Sequence, residues 1–217
     1  DKLIQIPIKV PGLGTQEVRA YLMMLFVENS TLSVPDKNKI RTEVAQQLKL
    51  AWQGKRVDRG FVQGLGVKLP PDLVVRLDTA DRLAPLMATA TGIAGNPRLI
   101  KRFLNALSIR MSISAAQGVG VNEAVLTKLL LFERLAPAGI YSELVAAVSS
   151  SDRGSPKYLE PWEAAAGAGE ELKLEGGWSD PSLTEWLALP PALANEDLRG
   201  ALYVSREHAP LALVLDA

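Results

Sequence analysis

The stretch GNPRLIKRFLN, Gly95 to Asn105, places Arg98, Lys101 and Arg102 in the opening turns of a helix. First-turn amides are unpaired and a helix N-terminus carries roughly half a positive charge, so each cation there costs on the order of 0.3–1 kcal/mol unless an anion compensates. The three cations therefore ask for an anion. A phosphate group suits them, because arginine presents a rigid fork of donors that matches phosphate oxygens. A salt bridge from Arg98 or Arg102 to a carboxylate elsewhere, with Lys101 solvated, meets the same demand. The Gly-Asn-Pro spelling gives Arg98 unusual definition: Gly95 permits close backbone approach, Asn96 can cap, and Pro97 suits the first helical position.

Other chemistry is sparse. The 217 residues contain no cysteine and a single histidine, His208, which excludes disulfides, thiolate or zinc sites, and any Ser/His/Asp triad outside the tail. A phosphate-cradling G-x-x-x-x-G-K-[ST] is absent: Arg56 follows Gly54-Lys55, and Lys49 stands where the first glycine should be. LVVRLD, Leu73 to Asp78, imitates the strand that carries a Walker B carboxylate, but Arg76 breaks it and it reads better as helix. With no convincing metal-binding carboxylate, these residues alone are not expected to hydrolyse a nucleotide. Trp52, Trp162, Trp178 and Trp186 could stack on bases, and RGF at Arg59 echoes RNA-binding spellings. No aromatic reads as interleaved with a basic run, so anchoring in the core or a loop is the preferred assignment for all four tryptophans.

Lys plus Arg and Asp plus Glu balance at 24 each, which argues against a chain-wide basic surface. With 47% apolar residues the chain can bury a core and should form one large domain or two smaller ones. No apolar run suffices to span a bilayer, and DKLIQIPIKVP lacks the pattern of a secretory leader, so a soluble, cytoplasmic location is expected. Because the chain opens on Asp1 and enters a strand-like segment at once, it is expected to be part of a larger protein.

These residues must be held by helices. Leu3, Ile4, Ile6, Ile8 and Val10 predict a short strand or extended arm, with no convincing partner strand elsewhere in the chain. Thr15 is the expected cap of a helix reaching Glu28, and Pro35 or Asp36 opens a second towards Trp52, striped by Ile40, Val44, Leu48 and Trp52. A polar, glycine-rich loop follows. Asp72 then caps a helix towards Ile93, and the helix of GNPRLIKRFLN continues through Leu107 and Met111. Gly118 and Gly120 break the chain before a helix opened by Asn122 or Glu123, whose apolar residues on most sides predict burial. Beyond Ser149, loops separate short helices at Tyr158–Ala166 and Leu183–Leu187, and LRGALYVSRE fits either helix or strand.

DKLIQIPIKVP, TQEVRAYL, GNPRLIKRFLN, VLTKLLLFERL and DLRGALYVSRE together resemble the later part of the KAP family of P-loop NTPases. That family is related to AAA-type and STAND ATPases, and its bacterial members include the ATPase of the Qat anti-phage defence system. The resemblance implies that residues 1–12 are the last strand of an upstream nucleotide-binding core. Residues 13–117 would then form a helical lid with a sensor 2-like helix, and residues 118–217 a C-terminal helical region. Arg98 would reach the terminal phosphates of ATP, with Asn96, Lys101 and Arg102 as further nucleotide contacts; Lys101 and Arg102 serve the fold, an anion or a neighbouring subunit.

The expected architecture is mainly α, a lid-like bundle with a strand remnant at its start and a loop-rich helical C-terminal part. ATP and magnesium would be bound mainly by the upstream core, with no metal ligand in these residues. Implied partners are that core, a second copy or defence-system proteins. The alternative reading is a helical interaction module that binds nucleic acid or an acidic protein.

Overall fold

The computed structural model describes residues 12–89 and 93–205, and every regular element among them is helical. The expected strand at Leu3–Val10, and His208, lie outside the described residues. The chain divides into two compact units, residues 1–100 and 101–217.

The first unit is built on α1 (Thr15–Glu28) packed against α4 (Pro71–Thr89), with α2 (Val34–Lys49) against α1 and α3 (Arg59–Gln63) against α4. Val18, Leu22, Met23 and Phe26 of α1 and Leu73, Leu77, Ala80, Ala84 and Met87 of α4 are buried at the three- and four-residue spacing of a helical stripe. Each large side chain so buried contributes about 1.5–3 kcal/mol, which outweighs any local propensity. Leu73–Asp78 is helical, as its interruption by Arg76 predicts.

Several boundaries differ from expectation. Gly14, extended at φ −74° and ψ 174°, is the N-cap of α1, and Thr15 is already helical without a capping bond. In α2 the cap is Ser33, whose hydroxyl accepts the Asp36 N–H; Pro35 and Asp36 lie inside the first turn. The far end of α2 stops at Lys49, followed by one 3-10 turn at Ala51–Gln53 and the left-handed Gly54 (φ 80°). Trp52 is thereby removed from the stripe and left 81% exposed, which overturns its assignment as a core or loop anchor. The stretch expected as loop holds α3, capped by Asp58, whose carboxylate accepts the Phe61 N–H at 2.7 Å. Helix α4 begins at Pro71, so Asp72 sits in its first turn rather than capping it. Arg59 is paired with Asp78, 3.2 Å away, rather than standing free.

In the second unit α6 (Glu123–Leu135) is the axis, with every residue from Val125 to Phe132 buried. Around it come α7 (Ala138–Ser150), α8 (Glu160–Ala168), α9 (Pro181–Leu187) and α10 (Arg199–Val204), the last resolving the ambiguous tail as helix. Asn122 caps α6, accepting the Ala124 N–H at 2.8 Å. Phe132 stacks on Trp186 at 4.3 Å and on Trp178 at 5.5 Å, so these two tryptophans do anchor a core. A buried lysine stands in their midst. The Lys128 ammonium lies 2.6 Å from the Glu163 carboxylate and also donates to the carbonyls of Leu187, Leu189 and Pro191. Burial pulls its pKa below the usual lysine value, opposed by Glu163. Glu163 in turn accepts the backbone N–H groups of Leu193 and Ala194, so the loop after α9 closes on α8 through one carboxylate.

Candidate functional site

The helix of GNPRLIKRFLN is α5 (Pro97–Ala116), and the turn before it is tightly built. Ala94 and Gly95 both have positive φ, 45° and 64°. A positive φ costs a residue with a Cβ about 1–2 kcal/mol, and Ala94 bears that strain at the mouth of the helix. Gly95 has a second reason to be glycine, since a Cβ there would lie 2.1 Å from the carbonyl oxygen of Leu13. Leu13 donates its N–H to the Gly95 carbonyl (3.1 Å), and the Gly95 N–H reaches the carbonyl of Met87 (2.8 Å). The residue that opens GNPR thus joins the entry to α1 and the last turns of α4.

Asn96 caps as its type predicts. Its side-chain oxygen accepts the Arg98 N–H at 3.0 Å, and its carbonyl accepts the Ile100 N–H at 3.0 Å. Pro97 is the first helical residue, where the missing N–H costs nothing. Buried Ile100, Phe103, Leu107, Arg110 and Ser114 fix the rotation of α5. Arg98, Lys101, Arg102 and Asn105 fall on the opposite, exposed side, within an arc of about 100° at 3.6 residues per turn. Among the described residues no carboxylate pairs with Arg98, Lys101 or Arg102, whereas other arginines have one, such as Arg82 with Asp78 at 2.8 Å and Arg19 with Asp81 at 3.1 Å.

Chemically, this face can receive an anion: three solvated cations gathered at one helix end suit phosphate oxygens. Among the described residues no group of three or more His, Cys, Asp or Glu side chains could hold a metal ion. The cation face fits the phosphates of a nucleotide, but nothing among these side chains fits its magnesium.

Two charged features escaped the reading of the sequence. Arg110 is 7% exposed and ion-paired to Glu133 at 3.0 Å; its place in the apolar seam, between Leu107 and Ser114, was the available signal. Lys128 was visible only as the lone charge within the run VLTKLLLF.

The model of the KAP family P-loop domain matches residues 1–114, just over half of the chain and inclusive of GNPRLIKRFLN. The chain belongs to the KAP family. No curated protein and no solved structure matches it. A KAP P-loop NTPase uses a nucleotide and magnesium in the full protein, and the matched residues here contain no G-x-x-x-x-G-K-[ST] to cradle the phosphates. Among the described residues of this KAP chain no helix is long and apolar enough to cross a membrane.

Proposed function

We propose that residues 13–117 act as the lid of a KAP-type NTPase in which Arg98 senses ATP held by a P-loop core outside residues 1–217. In this reading residues 1–12 belong to that core and residues 118–217 to a separate C-terminal region. The observation that carries the reading is that Arg98 is exposed and without a carboxylate partner among the described residues, while Gly95, Asn96 and Pro97 fix the start of its helix. An exposed arginine costs nothing to desolvate in advance and keeps its fork of donors for an incoming anion.

A bound nucleoside triphosphate supplies the phosphate charge and the bond to be cleaved. Arg98 contributes a guanidinium that neutralises charge on the terminal phosphates, and Lys101 and Arg102 extend the positive face. Since Arg98 gains this interaction in one nucleotide state and gives it up in another, it biases two conformations of the lid. A role in anti-phage defence, and assembly with further copies or with defence proteins, belong to the same proposal and rest on the family resemblance alone.

The test is Arg98→Ala in a protein that includes the P-loop core. Hydrolysis should slow, or nucleotide state should cease to control conformation. Unchanged hydrolysis rate and unchanged nucleotide affinity would refute the role. The competing reading, in which the same face binds nucleic acid or an acidic protein, requires binding that weakens steeply with salt and is lost on replacing Arg98, Lys101 and Arg102 together.

A further inference from the structure

The turn after α2 carries a second positively charged surface, and it has an indole at its tip. From Lys49 to Val57 the chain holds three cations, Lys49, Lys55 and Arg56, and no carboxylate. Every residue from Lys49 to Arg56 except Ala51 is exposed, and Trp52 at 81% is far more exposed than Trp178 (6%) or Trp186 (0%). The turn is nonetheless pinned. Gln53 and Gly54 donate back to Leu50 and Ala51, the Gln47 side chain donates to the Arg56 carbonyl at 3.2 Å, and Val57 is 1% exposed. Lys49 therefore stands on the outgoing limb, Arg56 on the returning limb beside Gln47, and the indole on the turn between them. Among the described residues neither lysine nor the arginine side chain is engaged by a carboxylate.

Three kinds of partner use an exposed tryptophan among cations, and the surroundings separate them. A membrane surface needs an extended apolar face, but the exposed apolar side chains here are Trp52 and Leu50 (39%), and the neighbouring outward residues of α2 are Arg41, Thr42, Ala45, Gln46 and Lys49. A protein interface is depleted in lysine and gathers several large side chains around its anchoring tryptophan; the residues around this one are lysine, glutamine and glycine. A single-stranded nucleic acid needs one free aromatic face for a base and cations for the adjoining phosphates.

We propose that the Lys49–Arg56 turn binds single-stranded nucleic acid, with a base stacked on Trp52 and the backbone phosphates held by Lys49, Lys55 and Arg56. This surface is separate in sequence from the cation face of α5 and needs no nucleoside triphosphate. Binding is independent of base sequence, since every base presents a π face.

The 217-residue chain titrated with an oligothymidylate of about twenty nucleotides tests this directly, with intrinsic fluorescence as the readout because Trp52 is the most exposed of the four indoles. Quenching should saturate, and Trp52→Leu should abolish the quenching and weaken binding, read by anisotropy of labelled oligonucleotide, by about tenfold or more. Replacing Lys55 and Arg56 with alanine should flatten the log–log salt dependence by about 0.7 for each phosphate that is no longer neutralised. The absence of binding at low salt overturns the proposal. So does binding that Trp52→Leu leaves intact while the Arg98, Lys101, Arg102 triple alanine variant removes it. Trp52-dependent association with phosphatidylserine vesicles in place of the oligonucleotide likewise overturns it, in favour of a lipid surface. Unchanged circular dichroism of the variants, which alter an exposed turn, establishes that the comparison is between folded proteins.

Discussion

The ammonium of Lys128 lies 2.6 Å from the carboxylate of Glu163, with the two side chains 1% and 3% exposed. Lys128 has three protons to donate and four acceptors around it, and Glu163 accepts two backbone N–H groups besides. Removing either charge leaves the other buried without its counter-charge, which costs about 3–5 kcal/mol. Lys128→Met should therefore destabilise the second unit by about that amount, read by urea unfolding through tryptophan fluorescence. The double variant Lys128→Met, Glu163→Gln should lose markedly less than the sum of the single losses. Strict additivity would mean that the pair is not coupled.

Two glycines with nearly equal φ should answer differently to alanine. Gly95 (φ 64°) has the Leu13 carbonyl where a Cβ would go, and Gly118 (φ 66°) has nothing within 4 Å. Gly118→Ala should cost only the conformational penalty, about 1–2 kcal/mol. Gly95→Ala must also displace backbone and should cost more, about 3 kcal/mol or above. Equal shifts in thermal midpoint would show that the crowding at Leu13 relaxes freely.

Folding and phosphate sensing should separate at neighbouring positions. Asn96→Ala removes the cap of α5 and should destabilise by about 1 kcal/mol. Arg98→Ala, an exposed change that breaks no ion pair among the described residues, should leave stability within about 0.5 kcal/mol. A large loss of stability in the Arg98 variant would assign the arginine to the fold.

Two carboxylates should respond to acid in opposite senses. The Ser182 hydroxyl and then the Ser182 N–H hold Asp180, the cap of α9, below the usual aspartate value of 3.8. A folded pKa below the unfolded one gives stability that is present above about pH 4 and lost as pH falls through the folded value. Asp180→Asn should therefore flatten the loss of stability between about pH 5 and about pH 2. Burial raises Asp81 above 3.8, with the Arg59 N–H and Arg19 opposing. Its contribution is largest when protonated and declines as pH rises from about 4 through its folded value, and Asp81→Asn should remove that decline. Urea midpoints measured across this range for each variant decide both signs.

Helix existence was legible wherever a stripe ran at three- and four-residue spacing, as in α1, α4 and α5, because burial of that stripe dominates the energetics. Caps were legible at Asn96 and Asn122 and misplaced at Thr15 and Asp72. At Thr15, the extended Gly14 caps α1 with no side-chain bond to announce it; at Asp72, α4 starts at Pro71, the same first-position proline signal as at Pro97. Trp52 misled because it continues a four-residue spacing past the end of α2 at Lys49, into a 3-10 turn where that spacing no longer sets the side. Lys128 and Glu163 are 35 residues apart in sequence and meet only through tertiary packing. The cation face of α5 was readable because it lies within one helix, where spacing alone fixes which side chains share a side.

The Leu13–Gly95 hydrogen bond sets how closely Arg98 can follow the chain that precedes α1. The path from Leu13 to Arg98 crosses one hydrogen bond and then Gly95, Asn96 and Pro97, rather than the length of α1, α2 and α4. Such a short linkage leaves little slack: a shift of the chain at Leu13 moves the start of α5 with it instead of being absorbed in side-chain rearrangement. Gly95 is in this sense a pin, and a larger residue there would part the start of α5 from Leu13 while leaving every cation on its helix.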